Sequence, residues 1–296
     1  YYYDHRDPEE EGLIYIQHPW SSGTDNSPVW DDALGRIDVD KINLPAYERK
    51  DLQNPKAAAH RPTQLDYDRY VHLVDICRKA NYNDEAIFET SPFLIQDPLF
   101  NSILVRSNEA LIEIALLLGE DISDMIAWNE LTIHSINEKL WDEERALYNA
   151  WDLRADKAIQ TESHSALMPL FGGIPTVSQA ERMVEVLLGK TFGASGKNFL
   201  CPSYAVNSPK INYEKYWRGP LWINMNWMLH KGLTRYLFID EANKVKEDSL
   251  QLLGQYGFYE YFDPRKRIVE SAGYGTQQFS WSAALCIDFL LNEELF

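Results

Sequence analysis

The chain is poor in the residues that several kinds of protein depend on. Its 296 residues include three cysteines, Cys77, Cys201 and Cys286, far apart and without C-x-x-C spacing. A disulfide framework needs a denser, even set, so these read as buried thiols and a cytoplasmic location is expected. No run of about 18 apolar residues occurs, so no membrane-spanning helix and no membrane partner are expected. Positive charge is scarce, with 28 Lys and Arg against 45 Asp and Glu and a formal net charge of −17. Phosphate backbones are bound by basic surfaces, so nucleic acid is not an expected partner. The opening Tyr1-Tyr2-Tyr3 carries neither an initiator methionine nor a signal-peptide pattern, and the chain is expected to be a fragment or a processed piece.

Familiar catalytic signatures are missing too. Lys190-Thr191 follows Gly189, but Val184 stands where a phosphate-binding loop has its first glycine. Gly193-Ala194-Ser195-Gly196 is not the G-x-S-x-G of a serine nucleophile. The seven histidines form no H-E-x-x-H and no other tight ligand pair, so a metal site is not expected. No G-x-G-x-x-G follows a strand.

What is present is aromatic, acidic and helical. Nine Trp and 17 Tyr exceed what a core needs, and both types offer a flat apolar face with a polar tip that suits a sugar ring. Start-of-helix punctuation stands at Ser27-Pro28, Thr63 to Asp66, Asp97-Pro98 and Gly219-Pro220. Apolar periodicity predicts helices over about 28–36, 66–80, 98–119, 122–140, 163–171, 178–189, 220–237, 240–256 and 279–292, while strand signals are few. With 45% hydrophobic residues, and no repeat or low-complexity linker, one all-α domain over 1–296 is expected. The long loops 38–62 and 190–218 read as functional, the second holding Tyr204, Tyr213, Tyr216 and Trp217.

Two carboxylates suffice to hydrolyse a glycosidic bond. In "HPWSSGTDNSPVWDDAL" (18–34), Asn26 or Ser27 caps a helix and Pro28 fits its first turn, yet neither role needs Asp25. Glu260, in "YGFYEYFDPRKR" (256–267), is expected in a loop among Tyr256, Phe258, Tyr259, Tyr261 and Phe262. In "YWRGPLWINMNWMLHKGL" (216–233), Arg218 offers a planar fork of donors, with Trp217 and Trp222 placed to line a cleft.

Four stretches, "HPWSSGTDNSPVWD", "QDPLFNSILVRSNEAL", "YWRGPLWINMNWMLHKGL" and "EYFDP…FSWSAAL", resemble in order the catalytic barrel of glycoside hydrolase family 63, closest to its bacterial mannosylglycerate and glucosylglycerate hydrolase branch. The resemblance implies an (α/α)6 toroid and an inverting α-glycosidase without a cofactor. Its Asp acid matches Asp25 and its Glu base matches Glu260. Trp20 and Gly23 match the tryptophan and glycine before the acid, Tyr204 and Trp217-Arg218-Gly219 a sugar-facing loop, and Trp281 a wall of the site. Tyr216, Trp222 and Tyr259 are further substrate-binding candidates beside them. Asp97 and Asn101 match a motif with no assigned role. Inversion implies carboxyls ~6.5–9.5 Å apart.

Three departures stand out. Ser21 replaces a frequent Glu, "DPRKRIVESAGYGTQQ" replaces a "DPxTG" turn, and about nine helices stand where twelve close the toroid. The chain is therefore expected to be its C-terminal two thirds, completed by an upstream segment or a partner chain. An α-glucosidase for di- or oligosaccharides and a non-catalytic sugar-binding fragment remain as alternatives.

Overall fold

The computed structural model describes residues 1–53, 58–193, 196–266 and 271–291. Residues 54–57 of the 38–62 loop, Ala194 and Ser195 of the 190–218 loop, residues 267–270 of the basic stretch and the last residue of the predicted 279–292 helix lie outside them. The chain packs as two compact units, Tyr1–Tyr47 with Pro62–Thr161 and Glu48–Arg61 with Glu162–Phe296. Among the described residues there are eleven α-helices and eight strands of two to five residues.

In the first unit, local punctuation sets the helix starts. The Ser27 hydroxyl accepts from Val29 N at 3.4 Å, and Pro28 opens a 3-10 turn that runs into the Asp31–Gly35 helix. Thr63 and Asp66 exchange hydrogen bonds in a capping box at Gln64–Lys79. Asp97 caps Pro98–Leu118, which ends on left-handed Gly119. Asn101 braces the start of that helix, donating to the Ile14 carbonyl and accepting from Ile14 N, both at 2.9 Å. Ser123–Ser135 continues into a π-helical turn at Ile136–Leu140, which together fill the predicted 122–140.

The strands are the main departure from expectation. Tyr15–Ile16, Ile95–Gln96, Ala150–Asp152 and Lys157–Ile159 form one antiparallel sheet in that order. Each is too short to leave an alternating pattern. The core beside this sheet gathers Ile16, Trp30, Leu34, Tyr70, Leu73, Phe93 and Ile95; truncating one such side chain to Ala would cost about 2–5 kcal/mol. A further helix, Asp84–Thr90, capped by Asn83, was not predicted because seven residues show little periodicity.

In the second unit, Thr176 and Gln179 form a capping box at Val177–Leu188, and the predicted 163–171 segment resolves into a 3-10 turn, His164–Leu167, and a single helical turn, Pro169–Gly172. Helices Ile223–Arg235, Ile239–Tyr256 and Ser280–Leu291 pack around Phe199, Leu221, Ile223, Leu252, Leu253, Phe262 and Phe289. The helix expected to start at Gly219-Pro220 starts at Ile223 instead. Leu221 is held extended by exchange of both backbone hydrogen bonds with Phe262, at 2.8 and 2.9 Å. Glu260, expected in a loop, lies on the strand Tyr259–Phe262, which pairs with Gly273–Gln277.

Candidate active site

Asp25 sits in a turn whose entry is fixed by a neutral histidine. His18 Nε2 lies 3.1 Å from the Tyr70 carbonyl, and Nδ1 lies 3.0 Å from Trp20 N. A carbonyl only accepts and a backbone N–H only donates, so Nε2 carries the proton and Nδ1 the lone pair. Burial favours the same state and pushes the His18 pKa down to about 4. The 3-10 turn Pro19–Ser22 follows and ends on Gly23, at φ +73°, a left-handed conformation that glycine adopts without penalty. Ser22 Oγ donates to the Pro19 carbonyl at 2.7 Å and accepts from Thr24 N at 3.0 Å. Trp30 Nε1 donates to the Thr24 carbonyl at 2.9 Å.

Asp25 itself is half-buried, and its carbonyl accepts from the Tyr70 hydroxyl at 2.8 Å. Burial, then the Asp66, Asp25 and Asp31 charges, push that hydroxyl pKa up and keep it a donor. The Trp20 indole is 43% exposed, with ring centroids 4.4 Å from His18 and 5.7 Å from Tyr70. The turn thus presents a carboxyl and an open aromatic face. A neighbouring cleft of about 320 Å³ is lined by Ser21, Ser22, Phe100, Ile103 and Leu104 among others.

In the second unit, Glu260 is 7% exposed and both its oxygens are held. Oε1 accepts from the Tyr216 hydroxyl at 3.0 Å, and Oε2 from Thr276 N at 3.2 Å. An Arg61 guanidinium nitrogen lies 3.5 Å from Oε2, and the guanidinium sits 4.3 Å above the Tyr216 ring. Burial works against the Arg61 charge, but Tyr216 and Glu260 outweigh it and raise its pKa.

A stack of rings backs this carboxylate. Trp217 lies flat on Trp222, centroids 3.7 Å apart, and Trp222 is stacked 5.0 Å from Tyr261. Both tryptophans are 2% exposed, so they support the Tyr216 ring, which meets Trp222 edge-on at 5.0 Å. Trp222 Nε1 also donates to the Tyr216 carbonyl at 3.1 Å, fixing Tyr216 at φ +45°. His164 lies 5.5 Å from Trp217 and donates from Nδ1 to the Ser203 carbonyl at 2.9 Å; burial pushes its pKa down to about 4.

The structure therefore brings Tyr216, Trp217, Trp222 and Glu260 together. Tyr259 precedes Glu260 on the strand, its carbonyl accepting from Ser282 Oγ at 2.6 Å. Tyr204 is buried, with Ser208 Oγ donating to its hydroxyl at 2.8 Å. Arg218 is half-buried and its carbonyl accepts from Asn212 N at 2.9 Å. Trp281, 51% exposed, opens the Ser280–Leu291 helix. Sequence reasoning missed Arg61 and Thr276. Arg61 lies in a loop singled out by length alone, and Thr276 acts through a backbone N–H, which no side-chain pattern reveals. Among the described residues no group of three His, Cys, Asp or Glu is placed to hold a metal ion.

A family model, described as the mannosylglycerate hydrolase MGH1-like glycoside hydrolase domain, matches residues 1–282. The chain is 39% identical over 293 residues to a mannosylglycerate hydrolase of Rubrobacter radiotolerans, covering 99% of this chain and 65% of that protein. It is 30% identical over 295 residues to a glucosylglycerate hydrolase of Mycolicibacterium hassiacum, covering 96% of this chain and 64% of that one. The chain thus spans less than two thirds of the length of these relatives. A crystal structure of a GH63 mannosylglycerate hydrolase from Thermus thermophilus, in complex with Tris, superposes with a TM-score of 0.89 at 40% identity, over 98% of this chain and 67% of that one. The fold class is the helical (α/α)6 class expected from the motifs.

Proposed function

Because the chain belongs to the MGH1-like family of GH63 glycoside hydrolase domains, we propose that it hydrolyses a small α-glycoside with inversion, mannosylglycerate or glucosylglycerate, using Asp25 as proton donor and Glu260 as base. The observation that carries this reading is the Glu260 carboxylate, buried against an aromatic stack with one donor on each oxygen. A general base has to be held in place before substrate arrives, and two directed hydrogen bonds do that.

In the reaction, Asp25 gives its proton to the bridging oxygen as that oxygen leaves the anomeric carbon. Glu260 takes a proton from the water whose oxygen bonds to the carbon from the opposite face. One glycoside and one water become glycerate and a free sugar of inverted configuration. Arg61 gives the base side of the site a cation that pairs with Glu260. Trp20 offers an open ring beside the acid.

Replacing Glu260 by Gln should lower kcat on the order of 10³-fold, while calorimetry still detects sugar binding. Asp25→Asn should lose the natural glycoside but keep cleaving a glycosyl fluoride, whose leaving group needs no proton. Full hydrolysis by Glu260→Gln overturns the assignment, and an α-configured first product in the NMR spectrum overturns inversion.

The same proposal makes residues 1–296 the C-terminal two thirds of a cytoplasmic catalytic domain, completed by an upstream segment or a partner chain. Support comes from apolar side chains left exposed on Pro98–Leu118, among them Leu111, Ile114, Leu117 and Leu118. Covering them would gain about 25 cal/mol per Å². A chain extended by the further third that its relatives carry should melt higher, and an unchanged melting temperature removes this part.

A further inference from the structure

The two strands of the Glu260 hairpin are out of step at Glu260. Tyr259 pairs with Gln277, but Tyr261 pairs with Tyr274. Two residues, Gly275 and Thr276, therefore face the single residue Glu260, which is a β-bulge. Gly275 opens the bulge at φ +74°, a left-handed conformation. A Cβ at this position would overlap Glu260 Oε2, and would lie only 2.8 Å from both Glu260 Cβ and the Tyr261 ring. A carboxylate can swing aside, but Glu260 Cβ is fixed by its strand and Tyr261 is fully buried. The next backbone N–H, that of Thr276, donates to the same Oε2 at 3.2 Å.

We propose that the Gly275–Thr276 bulge is the positioning element of the base. The missing side chain at 275 leaves the space that the carboxylate occupies, and the extra residue turns the Thr276 N–H onto it. This rests on the reading of Glu260 as the base. A strand without the bulge would direct its N–H groups into the ladder and put a side chain where Oε2 now lies. The bulge thus sets the direction in which Glu260 points, and water must meet it there.

Gly119 provides the control. It is also left-handed, at φ +73°, but a Cβ there would meet nothing within 4 Å. Gly119→Ala and Gly275→Ala share the backbone strain, and only the second adds the collision. With mannosylglycerate and glucosylglycerate as substrates, Gly275→Ala should lower kcat about 100-fold, the scale of a 1 Å misplacement, with KM changed less than about threefold. Gly119→Ala should leave kcat within about twofold.

A crystal structure of Gly275→Ala should show the carboxylate turned off Thr276 N. A carboxylate still on Thr276 N, or a kcat loss no larger than that of Gly119→Ala, overturns the proposal. Should Gly275→Ala not fold, Glu260→Asp decides, because its carboxylate ends one carbon short of the position that meets the Thr276 N–H. It should lose kcat about 100-fold, and full activity would overturn the positioning role. Full hydrolysis by Glu260→Gln would instead overturn the base reading itself, so the two failures are distinguishable.

Discussion

Around the His18–Trp30 turn, four hydrogen bonds end on main-chain groups. They join His18 to Trp20 N, Ser22 to Thr24 N, Trp30 to the Thr24 carbonyl and Tyr70 to the Asp25 carbonyl. In the Tyr259–Gln277 hairpin they reach the functional group itself, through the Tyr216 hydroxyl and the Thr276 N–H. The Asp25 turn is held at its main chain, and the Glu260 carboxylate is held at its oxygens among buried rings. This difference suits the two tasks we propose for them. A proton donor must reach an oxygen on the arriving substrate, whereas a base must hold one water in line.

Three measurements can break or sharpen that contrast, taken from the largest expected effect down. The turn depends on a neutral His18, whose pKa of about 4 lies below the ordinary imidazole value near 6.5. The unfolded chain therefore binds this proton first. The stabilisation is whole above about pH 6.5 and is lost as pH falls toward 4, by about 3 kcal/mol at most. His164, also pushed down to about 4, adds a second such contribution. Asp97 opposes them, because burial pushes its pKa up to about 7, a stabilisation that is full in acid and lost as pH rises through 7. His18→Asn should remove one proton from the slope of unfolding free energy against pH between 4 and 6.5. An unchanged slope would mean that the turn does not rest on His18.

Next come the two tyrosines. Tyr216→Phe strips a donor from Glu260 and should lower kcat about tenfold to 100-fold, as for a hydrogen bond to a charged group. Tyr70→Phe strips a donor from the Asp25 carbonyl and should cost about 1 kcal/mol of stability in urea unfolding, with kcat changed only a few-fold. Equal kcat losses would erase the distinction. Comparable in size to the Tyr70 effect is that of Gly23→Ala. Nothing lies within 4 Å of a Cβ built there, so only the left-handed backbone at φ +73° opposes it, at about 1–2 kcal/mol. A much larger cost would show that the Asp25 turn is as crowded as the Glu260 hairpin.

Helix starts were the most legible part of the fold. Ser27, Thr63 and Asp97 each cap a helix through a donor within three residues, so the signal lies inside a short window. The start at Pro220 failed because Leu221 is recruited by Phe262, 41 positions away. For the same reason Glu260 read as a loop residue, since its partner strand begins only at Gly273. Trp217 and Trp222 were expected along a cleft wall and are found stacked and buried. Composition tells that they are apolar and flat, but not which face is covered. The Gly273 and Gly275 pair was a readable sign of close backbone approach within a strand, and it passed unnoticed beside the irregular stretch before it.

By itself the sequence determined the helical class, the family and the two carboxyl candidates. Caps, periodicity and short motifs are all written within a few consecutive residues. Only the tertiary structure decided what surrounds Glu260. Arg61, Tyr216 and Thr276 come from 199, 44 and 16 positions away, and one of them acts through a main-chain N–H. Strand register and loop closure are properties of the whole folded chain, and no local pattern of side chains encodes where a backbone group will point.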